Sequence, residues 1–219
     1  MIKIGHRGAK GYVAENTLAS FQKAIDLNVD TIELDVHLSL DGEIMVIHDE
    51  TINRTTTGNG FVKDMTSVEL KAFGIPTLKE VILLVNQKCV INIEIKEAKA
   101  TTKVVDLIRK FVSENQYNYN LFQISSFDWD VLEQVSLLNS NLLIDVLTDE
   151  SIENALTFAQ KIKAYSINPF YQLLNKEKVT LLQQNGFLVF PWTVNEFAEI
   201  EKMKSFNVDG IISDFPDRI

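Results

Sequence analysis

Eight short runs rich in β-branched residues, most of them separated by longer amphipathic stretches, constrain this chain more than any other feature. The runs span 2–5, 31–37, 90–95, 121–125, 142–146, 164–167, 187–191 and 210–212. Stretches of helical period span 17–28, 77–86, 102–115, 128–138, 151–160, 176–185 and 195–206. This alternation predicts a parallel sheet whose crossovers are helices. Asn16/Thr17, Thr77 with Glu80, and Asn195 with Glu196 read as cap signals, which makes Asn16 and Asn195 caps rather than ligands. The segment 41–70 breaks the rhythm. Its apolar run at 44–47 and Thr/Gly-rich loop at 55–60 predict a small excursion after the second strand.

Either a closed barrel or an open doubly wound sheet would satisfy that pattern. No Gly-rich dinucleotide fingerprint follows the first run, where a nucleotide-binding sheet carries one. Polar residues gather instead at the C-terminal ends of successive runs: His6, Glu33/Asp35, Glu94/Lys96, Ser125/Ser126, Asn168, Trp192 and Asp214. A barrel brings such ends to one mouth, where its active site lies. The expectation is an α/β fold, a compact (β/α)8 TIM barrel over 1–219 as one domain, with a short or missing last helix.

Charge narrows the function. Lys and Arg number 21 against 30 Asp and Glu, a net charge of −9 without a basic stripe. Gripping nucleic acid or an anionic membrane needs dense cations, so both are excluded as partners. A phosphate-bearing substrate would require local cations or a metal, because the global field opposes it. Cys89 is the only cysteine and reads as a packed side chain, which excludes a thiolate metal site. No leader pattern and no membrane-length apolar stretch is present, so the expected location is cytoplasmic, without stable membrane insertion.

Side chains alternate across a strand, so Glu33, Asp35 and His37 share one face of Thr31-Ile-Glu-Leu-Asp-Val-His37. Two carboxylates aimed into one interior repel and are costly to desolvate unless a cation joins them. The alternative is an exposed edge strand with a solvated acidic face. Val90-Ile-Asn-Ile-Glu-Ile-Lys96 adds Glu94 and Lys96 on one face of a second, apolar run. Three oxygen ligands point to a hard cation, one Mg²⁺ or Ca²⁺. A metal-free ion pair of Lys96 with Glu94 or Glu33 stands beside that reading but leaves carboxylates in surplus. All three histidines fall within the first 48 residues. His6 and His48 suit general acid–base work at the mouth, and Arg7, between Gly5 and Gly8, suits a phosphate oxygen. His37 lies further along its strand and is not assigned to the metal. Trp192 is a candidate apolar wall for the substrate, Glu15 a candidate brace for Arg7 or His6, and Asp214 a residue that orients the last loop.

Ten motifs occur in order: Gly5-His6-Arg7-Gly8; Glu15-Asn16-Thr17; Glu33-Leu34-Asp35-Val36; Asp41-Gly42; His48-Asp49 with Arg54-Thr55-Thr56; Ile75-Pro76-Thr77-Leu78; Ile93-Glu94-Ile95-Lys96; Ser126-Phe127; Trp192-Thr193-Val194-Asn195; and Asp209-Gly210-Ile211-Ile212-Ser213-Asp214. On these the chain resembles the glycerophosphodiester phosphodiesterases over nearly its whole length. The resemblance implies a barrel and hydrolysis of a small glycerophosphodiester to an alcohol and glycerol 3-phosphate. It implies Glu33, Asp35 and Glu94 as metal ligands, His6 and His48 as the acid–base pair, and Arg7 and Lys96 as phosphate contacts. Family members often carry a longer connection before Ile75, here shrunk to Gly74, which predicts a small roof over an open mouth. Three other readings remain at this stage: a lysophospholipid-type phosphodiesterase of the same fold, an aldolase-type barrel with a Schiff base on Lys96, and a non-catalytic phosphate-binding module.

Overall fold

The computed structural model describes residues 1–219. Nine strands and eight helices follow in chain order: β1 (Ile2–Gly5), α1 (Leu18–Asp26), β2 (Thr31–Leu38), β3 (Ile44–Val46), α2 (Ser67–Ala72), α3 (Leu78–Val85), β4 (Val90–Ile95), α4 (Thr101–Asn115), β5 (Phe122–Ser126), α5 (Trp129–Leu138), β6 (Leu143–Thr148), α6 (Ile152–Ile162), β7 (Ser166–Pro169), α7 (Lys176–Gln184), β8 (Leu188–Val189), α8 (Phe197–Ser205) and β9 (Gly210–Ser213). Eight of the strands run parallel in the order β8-β7-β6-β5-β4-β2-β1-β9, and β3 pairs antiparallel with β2 outside that path. Bonds from Asp209 N to Val189 O and from Ile212 N to Pro191 O link the two ends of the path. The result is a nearly closed (β/α)8 barrel, as the polar strand ends predict.

The eighth strand is shorter than the run at 187–191 suggests. Toward β7 the bonds continue past Val189, Phe190 N to Ile167 O and Trp192 N to Pro169 O, while Pro191, which faces β9, has no N–H to donate across the closure. A single 3-10 turn, Pro216–Arg218, stands where the last outer helix would be. The excursion after β2 consists of β3, α2 and the loops around them. It closes over its own small core of Met45, Ile47, Ile52, Val62, Leu70 and Ile75.

Local chemistry explains the helix starts, with two corrections. Thr66/Glu69 and Thr77/Glu80 form reciprocal capping boxes on α2 and α3. Thr17, not Asn16, caps α1, and Glu196, not Asn195, stands at the N-cap of α8 without a side-chain cap bond. Asn16 and Asn195 are occupied elsewhere, because a carboxylate, the buried Asp35 and the half-buried Asp214, competes for each amide.

Outside the barrel wall, one apolar cluster joins the strands to the helices, with Leu34, Ile93 and Val104 fully buried in it. Inside, at the closure, β1, β9 and the residue just after β8 contribute the apolar plug Ile4, Ile212 and Phe190. The inward side of β4–β7 carries a run of buried polar residues, Asn92, Gln123, Ser125, Asp145, Ser166 and Asn168. No helix is long and apolar enough to cross a membrane.

Candidate active site

The site begins with register. Parallel pairing sets Glu33 beside Asn92 and Asp35 beside Glu94, so alternation on both strands points the carboxylates into one interior. Glu33, Asp35 and Glu94 are buried and offer ligand oxygens that all lie within 4.8 Å of one another. The exposed-edge alternative for β2 is thereby overturned, since that strand is buried between β1 and β4.

Such crowding shifts the carboxyls apart. Burial, then repulsion from Asp35 and Glu94, raises Glu33 well above the usual range. Burial and Asp35 push Glu94 up to about 7. Burial would raise Asp35 too, but Arg7 and Lys96 hold it below its ordinary value. Asp35 Oδ1 is buried and accepts no hydrogen bond. An orphaned oxygen inside a three-carboxylate cradle fits a divalent hard cation, which would satisfy it and lift the mutual repulsion.

The cations already present come from two strand ends. Lys96 Nζ lies 2.6 Å from Glu94 Oε1 and 3.6 Å from Asp35 Oδ1. Burial opposes its charge, yet Glu94 and Asp35 raise its pKa above the ordinary value. Arg7 follows β1 in the left-handed region at φ 50°, where its N–H donates to Glu33 Oε2 at 2.8 Å. The flanking glycines are required. A side chain at Gly5 would meet the Gly8 carbonyl, and Gly8, at φ 87°, lies against Ser20. Arg7 Nη1 donates to Glu15 Oε1, while its Nε, 3.3 Å from Asp35 Oδ2, has no hydrogen-bond partner.

Each imidazole is held by an aspartate. His6 Nδ1 lies 2.6 Å from Asp214 Oδ1, and His48 Nδ1 lies 2.7 Å from Asp49 Oδ1. Both carboxyls are held below the ordinary range; Asp214 is kept there by His6 against the pull of burial, Asp49 chiefly by Arg54. An ionised carboxylate only accepts, so Nδ1 is the donor in each pair and Nε2 remains for chemistry. Burial lowers both histidines, more than their aspartates restore.

Further residues brace this set. Asn16 Nδ2 donates to Asp35 Oδ2 at 2.8 Å. Asn195 Nδ2 donates to Asp214 Oδ2 at 2.8 Å, and Asn195 Oδ1 accepts from Asp214 N. His37 stands outside the carboxylate cradle, with its Nε2 3.0 Å from the His48 carbonyl. Asp214 thus orients His6 as well as its own loop.

His6, Arg7, Glu33, His48, Glu94 and Lys96 line a cavity of about 100 Å³ together with Asn92, Ser125, Phe127, Leu147, Trp192, Thr193 and Ile212. Trp192 meets Phe127 edge to face, ring centres 5.3 Å apart, and donates from Nε1 to the Asn168 carbonyl. All eight sequence-predicted site residues converge except that Asp35 sits just behind the lining. Phe127, Asp49 and Arg54 lie inside the ordered motifs, where sequence alone gives them no role. Asp145 was passed over, although a lone Asp within an apolar run was its signal.

The model of the glycerophosphoryl diester phosphodiesterase family matches residues 6–218. A glycerophosphodiester phosphodiesterase from Caldanaerobacter subterraneus subsp. tengcongensis is 39% identical, covering 99% of this chain and 95% of the relative. One from Bacillus altitudinis is 37% identical over 100% of this chain and 96% of its own. The crystal structure of a glycerophosphodiester phosphodiesterase from Thermotoga maritima superposes with a TM-score of 0.87 at 34% identity, over 99% and 96% of the two chains. An Oleispira antarctica phosphodiesterase, solved with the product sn-glycerol-3-phosphate, shares the fold at a TM-score of 0.90 and 23% identity, over 100% and 95%.

Proposed function

The chain belongs to the glycerophosphoryl diester phosphodiesterase family and is a phosphodiesterase, and from that premise we propose that it hydrolyses glycerophosphodiesters to an alcohol and glycerol 3-phosphate by paired-histidine catalysis beside one divalent cation. One observation carries the reading. Three carboxylates from β2 and β4 converge at the barrel mouth, and two aspartate-held imidazoles line the same cavity.

Glu33, Asp35 and Glu94 would hold the cation, Mg²⁺ or Ca²⁺, which when bound would supply Lewis-acid polarisation of the phosphoryl group. Arg7 and Lys96 bind the phosphate oxygens and offset charge that grows in the transition state. One neutral imidazole takes the proton of the attacking hydroxyl at Nε2, and the other, in its protonated form, returns a proton to the departing alkoxide. Asp49 and Asp214 keep Nδ1 protonated throughout, so each ring presents the same nitrogen. Trp192 and Phe127 form an apolar wall against the carbon skeleton.

A Schiff base on Lys96 is disfavoured, because Glu94 and Asp35 keep the amine protonated and an ammonium is no nucleophile. The test is a panel of glycerophosphodiesters and lysophospholipids, followed by glycerol 3-phosphate release with Mg²⁺, with Ca²⁺ and with chelator. Turnover that survives chelation would sink the cation's role, and no turnover with any ion would sink the hydrolase reading. Faster release from lysophospholipids would replace the substrate class.

A further inference from the structure

Arg54 lies in the loop after β3 and is absent from the cavity lining, yet it makes more charged bonds than any residue of the site. Its Nε and Nη2 donate to Asp49 Oδ2 and Oδ1 at 2.8 and 2.9 Å. Its Nη1 and Nη2 donate to Glu15 Oε2 and Oε1 at 2.9 and 2.7 Å. One planar guanidinium therefore forks onto two carboxylates. One oxygen of each carboxylate is shared with a site residue: Asp49 Oδ1 also accepts from His48 Nδ1, and Glu15 Oε1 also accepts from Arg7 Nη1. An unbroken chain of charge-assisted bonds thus runs from the imidazole to the phosphate-binding arginine, two groups on loops that follow different strands.

From this geometry we infer that Arg54 is a positioning residue that locks the His48–Asp49 dyad and the Arg7–Glu15 clamp into one unit. An isolated exposed ion pair contributes little, but bidentate geometry within a network is the stated exception. The anchoring of the loop supports it: Ile52, between Asp49 and Arg54, is fully buried in the excursion's own core. Burial opposes the charge on Glu15, yet Arg54 and Arg7 hold its carboxyl down to about 2. Lysine cannot replace the fork, because a point charge reaches one carboxylate at a time. Misplacing either end by an ångström is enough to cost about 100-fold in rate.

The inference rests on the acid–base role proposed for His48, so the test separates the two. Parent, His48→Ala, Arg54→Ala and Arg54→Lys are compared for kcat, KM, thermal midpoint and divalent-ion affinity. Arg54→Ala is expected to lose about 100-fold in kcat while ion affinity and midpoint hold. Free guanidinium should restore part of that loss in Arg54→Ala, and Arg54→Lys should recover no more than about tenfold. In an Asp49→Asn background, Arg54→Ala should add less than about threefold, because the two residues act as one network. Arg54→Ala turning over within about threefold of parent, while His48→Ala is inert, would overturn the lock alone. Full recovery in Arg54→Lys would overturn it too, by reducing the effect to charge. Turnover by His48→Ala would overturn the underlying reading. If Arg54→Ala misfolds, Arg54→Lys and its guanidinium response decide.

Discussion

The barrel interior has two polar arcs, and both bury carboxyl groups. On β2 and β4, with the loop after β1, Glu33, Asp35 and Glu94 sit among Arg7 and Lys96. On β5–β7, Asp145 is fully buried with no cation at all. Asn92 Nδ2 donates to its Oδ2 at 3.3 Å, Ser166 and Asn168 lie alongside, and its Oδ1 accepts nothing. Burial pushes Asp145 up to about 7, so it holds its proton in mildly acidic solution. The difference teaches what burial does to an acid. Asp145, left among amides and hydroxyls, is pushed up, and so are the crowded Glu33 and Glu94, whereas Asp35, with Arg7 and Lys96 both against it, is held below its ordinary value. Arg7, Lys96 and Arg54 are the fold's means of keeping charge at the mouth. The neutral arc below it frames the Asn168 carbonyl that holds Trp192.

The charged arc is broken most completely by removing its proton carriers. His6→Ala and His48→Ala should each lower kcat by about 10²–10⁴-fold with divalent-ion binding intact by calorimetry. Retained turnover in both would contradict the assignment.

Asp145→Asn sharpens the contrast from the other side. The folded carboxyl titrates near 7 against an ordinary 3.8, so the native state binds the extra proton between those values. Stability contributed by protonated Asp145 is therefore full below about pH 4 and is lost as pH rises through 7. The variant should match the parent at pH 4 and exceed it at pH 8 by up to roughly 4 kcal/mol in urea unfolding. Parallel stability curves for the two proteins would show that the arc tolerates an anion.

Glu33→Gln tests whether crowding demands a cation. In chelator it should unfold no earlier than the parent, since a neutral amide relieves the repulsion. On adding divalent ion at a hundredfold excess over Kd, the parent should gain about 2.7 kcal/mol and the variant far less. Equal gains would remove Glu33 from the ligand set. The smallest effect belongs to the aromatic wall. Phe127→Ala gives up its edge-to-face partner on Trp192, a contact of about 0.5–1.5 kcal/mol, so KM should rise by up to about tenfold for apolar alcohols with kcat kept. Equal KM values across the alcohol series would detach Phe127 from the substrate.

Much of the charged arc was legible before any coordinates, because strand parity acts within a few residues. Glu33 and Asp35 share a face by alternation alone, and Glu94 repeats the pattern on a second apolar run. The braces were not legible. Asn16 and Asn195 precede helices and look like caps, but each amide turns to a carboxylate remote in sequence, Asp35 on β2 and Asp214 just after β9. Asp145 carried a readable signal, a single acid among Leu, Ile and Val. Its partners Asn92, Ser166 and Asn168 lie on β4 and β7, and no spacing along the chain announces them.

Alternation of β-branched and amphipathic segments, the side on which each inward residue falls, and the surplus of acid over base were decided by the order of amino acids. These depend on backbone period and on counting, which need no knowledge of distant neighbours. Which carboxyl keeps its charge, which asparagine serves which aspartate, and how Arg54 reaches both Glu15 and Asp49 were decided only by barrel closure. Proton affinity and hydrogen-bond choice depend on through-space distance and on exclusion of water, and both arise when strands remote in sequence become neighbours.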